Sequence, residues 1–142
     1  KRFDVRDGLG LRLLQNVGVK LAFLSGGPGG ATEVRAKQLG IRDWLVGIKD
    51  KPVALHALQQ RLGVSALTTA FLGDDLNDLA VRPGVRLLIA PADACRPLRR
   101  QADGVLRHRG GHGAVRELAD RILQARGDWN VLRSNGWRDR ND

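Results

Sequence analysis

The chain contains no methionine and no tyrosine, one cysteine, and only 4% aromatic residues among its 142. A single Cys95 cannot close an internal disulfide, so a disulfide-stapled secreted scaffold is excluded and a reducing, cytoplasmic setting is expected. Long apolar runs are missing as well. The longest, such as "VRLLIAPA", fall far short of a bilayer span, so no membrane role is expected. No signal peptide is visible. The sequence opens on "KRFDVRDG" without an initiator, which fits a processed chain or a piece of a longer one.

What is present is a globular composition, 42% hydrophobic and 27% charged, in one domain's length of chain. The net charge is +9, carried mostly by arginine. Such a balance can serve nucleic acid. Here, however, the arginines are scattered from Arg2 to Arg140, and aromatics for base stacking are few. A small anionic substrate uses the same charge, and no nucleic-acid partner is expected.

Residues 7–17 place Leu9, Leu13 and Val17 at helical spacing, with Gly18 as the stop. "VKLAFLS" is a buried-strand run, "SGGPGG" a turn, and residues 31–39 a helix closed by Gly40. "WLVGI" is a weaker strand, and residues 52–62 form a helix with Pro52 in its first turn and Gly63 after it. "LTTAFLG", "VRLLIA" and "GVLRH" read as further strands. Short helices are expected in "DDLNDLAVRP" and "ACRPLRRQA", and a last amphipathic one carries Val115, Leu118, Ile122 and Leu123. This alternation predicts an α/β fold, a Rossmann-like, mostly parallel sheet with helices on both faces. Residues 1–126 are expected to form the domain, and 127–142, with Trp129 and Trp137, a polar tail that leaves it.

Ligands in such folds bind beyond the carboxyl ends of the strands, where "LSGG" and "GDDLND" fall. An acidic helix start is often only a cap for free amides. Yet Asp74, Asp75 and Asp78 repel one another unless a cation offsets them. Ser25 with the amides of Gly26 and Gly27 suits an anion such as phosphate, although Ser25 alone also reads as an N-cap. Lys51 opens a helix and could reach the same crevice, or stand as a solvated charge. Acid pair, hydroxyl and cation on successive loops are what metal-assisted phosphoryl transfer needs.

The order "LSGG", Lys51, "GDDLND" resembles motifs two to four of the haloacid-dehalogenase superfamily. Together with "KRFDVRDGLGLRLL", "RAKQLGI", "KDKPVAL" and "GGHGAVREL", it resembles the 3-deoxy-D-manno-octulosonate 8-phosphate phosphatase family over about residues 1–130. The resemblance implies a cap-less, Mg²⁺-dependent, commonly tetrameric enzyme that dephosphorylates a small sugar acid on the way to lipopolysaccharide. By position it implies that Ser25 and Lys51 hold the phosphate and that Asp74 ligates Mg²⁺. Asp75 and Asp78 would support the metal waters and Lys51.

Two departures stand out. Gly27 replaces the arginine the family carries after "SG", and the first motif, a pair of aspartates giving nucleophile and acid, is missing. Asp4 and Asp7 do not match it. The chain as written is therefore expected to be inactive, and loss of the strand that carries the first motif is expected to expose two unpaired strand edges. The alternative is a phosphatase-like assembly domain without catalysis, of the kind fused behind sialic-acid cytidylyltransferases.

Among the remaining residues, Arg35 is expected to meet either a substrate carboxylate or an ion-pair partner. Arg116 is read as half of a structural pair with Glu33 or Glu117, facing substrate being the alternative. His112 is read as a loop histidine, His56 as packed, Cys95 as inert, and Trp129 and Trp137 as either interface anchors or exposed tail residues.

Overall fold

The computed structural model describes residues 1–138. Three local devices set the first elements. Asp4 accepts from the Arg6 amide at 2.7 Å and starts α1, Val5–Asn16. Asp50 accepts from the Val53 amide at 3.2 Å and starts α3, Lys51–Leu62, while Gly63, at φ +66°, ends it in the left-handed region. Between them lie β1, Ala22–Leu24; α2, Ala31–Gln38; and β2, Asp43–Leu45.

The second half carries β3, Ala70–Leu72; β4, Leu87–Ala90; α4, Arg96–Gln101; β5, Gly104–Val105; and α5, Ala114–Arg126. The "DDLNDLAVRP" segment is a 3₁₀ helix over Leu76–Gly84 rather than an α-helix. Its first turn is tied up in a reciprocal capping box between Asp75 and Asp78, and Pro83 falls inside it.

All strand pairings are parallel, as the alternating sequence requires, but they form two sheets. In one, β1 pairs with β2, Ala22 opposite Asp43. In the other, the order is β3-β4-β5, Ala70 opposite Leu87 and Ile89 opposite Gly104. Among the described residues, β1 and β3 thus each keep one unpaired edge, and Leu24 of β1 with Phe71 and Leu72 of β3 line a common cleft. The main core lies on the three-stranded side, where Val81, Leu88, Ala90 and Leu98 are fully buried with Leu55 of α3; Leu24 and Phe71 pack on its margin.

A second core joins α1 to α5 through Leu13, Leu14, Ala119 and Leu123. Gly10 makes this crossing possible: a Cβ there would lie 3.1 Å from the Ala119 Cβ and 3.2 Å from the Arg116 Cα. The segment expected to leave the domain instead forms α6, Trp129–Asn135, and Trp129, Leu132 and Trp137 pack against the α1–α5 core. Residues 139–142 lie outside the described part of the chain. No helix among the described residues is long and apolar enough to cross a membrane.

Candidate active site

The loops after β1 and β3 and the start of α3 meet at a cleft of about 560 Å³. Ser25, Gly26 and Gly27 reach it from β1, Lys49 and Lys51 from α3 and its approach, and Asp74, Asp75, Asn77 and Asp78 from β3. The parallel pairing sends β1 and β3 toward the same end, so residues 25 to 78 in sequence become neighbours.

Asp78 organises the floor. Only 3% of its surface is exposed. Its Oδ1 pairs with the Lys51 ammonium, itself buried, and its Oδ2 accepts from the Asp74 amide at 2.9 Å and the Asp75 amide at 3.3 Å. One carboxylate therefore fixes both the cation and the loop that follows β3. Gly73 is the condition for this, since a Cβ there would stand 2.6 Å from the Asp78 Cβ.

Asp75 is committed locally, accepting from the Leu76 amide at 2.7 Å. Asp74 is different: its backbone is held at both ends, by Asp78 at the amide and by the Cys95 amide at its carbonyl (2.9 Å), while the side chain is exposed to the cleft. Desolvation by the surrounding loops, then the charges of Asp78 and Asp75, push its pKa above the ordinary aspartate value; Lys51 offsets only part of this. Asp74 is thus a carboxylate whose negative charge is only partly compensated.

On the opposite wall, the Ser25 hydroxyl accepts from the Gly27 amide at 3.3 Å and from the Lys1 ammonium at 3.1 Å; Lys1 also donates to Thr32 at 2.6 Å. A Cβ at Gly26 would lie 3.3 Å from the Ile48 carbonyl and 3.4 Å from the Asn77 side chain, so the glycine lets the two loops approach. No sequence pattern singles out Lys1 or Asn77. Asn77 sits inside the quoted "GDDLND", but only the fold turns it toward the Ser25 loop.

Among the described residues, no three His, Cys, Asp or Glu side chains converge as a ready-made metal cage. The donor set nevertheless fits a hard divalent cation of the Mg²⁺ kind. Such an ion keeps several waters and takes one or two carboxylates together with substrate phosphate oxygens. Asp74 offers the exposed, under-compensated carboxylate for it.

Not every expected residue reaches the cleft. Arg35 is drawn to the start of α1, where its guanidinium lies 5.6 Å from the Phe3 ring centroid and donates to the Asp4 carbonyl at 3.5 Å; it meets neither a carboxylate nor the cleft. Packing explains the shift: α2 turns Arg35 onto Gly8, where any larger residue would collide with it. Arg116 is in a structural pair, but with Asp120 at 2.8 Å rather than Glu33 or Glu117. His112 is a loop histidine bonded to the Gly110 carbonyl at 3.0 Å. His56 is exposed, not packed, and Cys95 lies half-buried against the main core. Asp4 and Asp7 have structural tasks: Asp4 caps α1, and the buried Asp7 accepts from the Arg116 amide at 2.9 Å.

A family model for haloacid dehalogenase-like hydrolases matches residues 5–81. The chain is 39% identical over 132 residues to the 3-deoxy-D-manno-octulosonate 8-phosphate phosphatase of Haemophilus influenzae, covering 93% of this chain and 73% of that protein. The cobalt-bound structure of the Haemophilus enzyme superposes with a TM-score of 0.89 at 39% identity, over 93% of this chain and 77% of that one. The corresponding phosphatase of Moraxella catarrhalis, solved with magnesium, phosphate and KDO, superposes with a TM-score of 0.91 at 35% identity, over 96% and 79% of the two chains. The cleft and these matches lead to one family: the chain belongs to the haloacid dehalogenase-like hydrolases, among the 3-deoxy-D-manno-octulosonate 8-phosphate phosphatases.

Proposed function

We propose that this chain supplies the phosphate- and metal-binding half of a Mg²⁺-dependent phosphatase acting on 3-deoxy-D-manno-octulosonate 8-phosphate or a closely related sugar-acid phosphate. The observation that carries this is the meeting of Ser25, Lys51 and Asp74 at one cleft beyond the carboxyl ends of β1 and β3. The reading extends to a cytoplasmic homotetramer serving lipopolysaccharide precursor synthesis.

In this scheme the Lys51 ammonium, held in position by Asp78, neutralises the substrate phosphate. Ser25 and the amides of Gly26 and Gly27 orient it by hydrogen bonds. Asp74, with water and phosphate oxygens, would hold Mg²⁺, which supplies charge stabilisation to the phosphoryl oxygens. Gly27 brings no charge where the family carries an arginine, so the substrate grip at that point rests on backbone alone.

Transfer to water also needs a carboxylate nucleophile and an acid for the departing sugar oxygen. The aspartates lining the cleft serve other ends: Asp78 is paired with Lys51, Asp75 caps the 3₁₀ helix, and Asp74 is the metal ligand. Asp4 and Asp7 are bonded elsewhere. The reading is therefore that turnover awaits two carboxylates from an additional strand, seated between the free edges of β1 and β3 with its end at the cleft.

The test is phosphate release from 3-deoxy-D-manno-octulosonate 8-phosphate with Mg²⁺. The chain is compared with the same chain extended upstream by a segment carrying the family's first motif. Activity is expected only in the extended form, falling about 10²-fold or more with Lys51→Ala, the scale for removing one charge-stabilising group, and losing Mg²⁺ activation with Asp74→Asn. Turnover by the chain alone that Asp7→Asn abolishes would overturn the assignment of the nucleophile. A silent extended form would favour the assembly-domain reading.

A further inference from the structure

A second cleft, of about 440 Å³, opens between α1, the loop after β5 and α5, and shares no lining residue with the first. Its wall is dominated by guanidinium groups: Arg6 from α1, Arg107 from the loop, and Arg116 and Arg121 from successive turns of α5. Glu117 and Asp120 are the carboxylates there. Four cations against two anions leave an excess of two positive charges, with His108 counted as neutral.

Both carboxylates are already engaged, although among the described residues the buried Glu117 Oε2 meets Arg121 as an ion pair without accepting a hydrogen bond. The Glu117 Oε1 accepts from the Arg107 amide at 2.8 Å, the His108 amide at 3.0 Å and the His108 ring at 2.8 Å, and its Oε2 pairs with Arg121 at 2.8 Å. Burial pushes the Glu117 pKa up, but hydrogen bonds from His108, then Arg107, and the Arg121 charge outweigh it and hold the carboxyl below its ordinary value. The group stays anionic and clamps the 107–108 turn against α5.

Asp120 is bound by the Arg116 Nε at 2.8 Å, which leaves the terminal nitrogens of Arg116 uncommitted by that bond. Among the described residues, Arg6 has only a long 3.8 Å pair with Asp4, and its side chain is 71% exposed. Donors therefore outnumber acceptors around a concavity whose framework is fixed by Glu117 and by the tight Gly10–Ala119 crossing beneath it. The volume is in the range of small-molecule sites.

We propose that this arginine-lined cleft is a second anion site, taking a small soluble polyanion that bears at least two carboxylate or phosphate groups. The planar, always-charged fork of arginine matches such groups in a bidentate way that lysine does not. The Arg6 and Arg107 arms, from different elements, would grip separate groups of one ligand.

Isothermal titration calorimetry with citrate and with pyrophosphate, on the whole chain in 0.15 M-type salt without metal, tests this; at such ionic strength exposed single charges are largely screened. Saturable binding is expected, weakened about tenfold or more by Arg6→Gln with Arg107→Gln, since each charge-assisted hydrogen bond is worth more than a neutral one. Arg99→Gln, an exposed change on α4 outside the cleft, is expected to leave binding unchanged. Amide shifts in the NMR spectrum should gather at residues 107–121. Absence of binding up to millimolar probe, an equal loss with Arg99→Gln, unaltered binding by the double variant, or shifts centred on Ser25 and Asp74 would each overturn the site. All three substitutions lie on exposed side chains, and circular dichroism checks that the variants are folded.

Discussion

The two sheets differ in how much of themselves they bury. In β3-β4-β5, Leu88 and Ala90 are wholly enclosed and the core gathers around them; in β1-β2, every residue keeps at least partial exposure. The thicker sheet carries the metal-type carboxylate Asp74, the thinner one the phosphate-type loop at Ser25. What joins them at the cleft is α3, whose Lys51 is locked to Asp78 across the gap. A site split in this way depends on one buried ion pair for its geometry.

The strongest way to break the comparison is therefore to cut that pair. Asp78→Ala leaves Lys51 buried without a counter-charge and frees the Asp74 and Asp75 amides. A loss of about 3–5 kcal/mol is expected, read by urea denaturation; a loss below 1 kcal/mol, on the order of a surface pair, would mean the halves are held together elsewhere. Next, Leu88→Ala should cost about 2–5 kcal/mol, the range for truncating an enclosed leucine. Phe23→Ala, on the half-exposed strand β1 against Ala36, Leu39 and Ile41, should cost less, about 1–2 kcal/mol for a partly buried side chain. Equal costs at Leu88 and Phe23 would erase the contrast between the sheets.

The smallest effect concerns acid. A hydrogen bond from Arg82, then the Leu88 amide, holds Asp103 below the ordinary aspartate pKa, at the margin of the thicker sheet. A depressed folded value means this contribution is present above the unfolded pKa and fades as pH falls through the folded one. Asp103→Asn should thus flatten the acid limb of the stability curve below about pH 4, the ordinary aspartate range. An unchanged limb would remove Asp103 from the account.

Much of this was legible in the sequence because it is local. Gly18, Gly40 and Gly63 marked helix ends, and apolar runs marked strands whose hydrogen-bonded cores proved only two to four residues long. The site was legible through order: a hydroxyl, a cation and an acidic loop at successive strand ends. Longer-range facts were not. Nothing in "VRAKQLGI" tells that Arg35 will stack on Phe3, because that depends on how the segment before α1 lies against α2. The docking of Trp129, Leu132 and Trp137 was hidden because the surrounding residues are polar, and only the α1–α5 groove gives the apolar ones a place. The division of the sheet followed from resemblance, not from any pattern within the strands.

That division also bears on solubility. Unpaired strand edges are templates on which other chains can polymerise. Here the outer edges are blunted: β5 has two residues, and β2 has three and pairs its Asp43 with Arg61. The inner edges of β1 and β3 are no longer, and they line a slot ringed by Lys1, Lys49, Lys51 and three aspartates. An aggregating strand would have to enter edge-on and desolvate the exposed members of that ring, Lys1, Lys49, Asp74 and Asp75. The same charges that suit the cleft to a phosphate ester thus act as gatekeepers against amyloid-type growth.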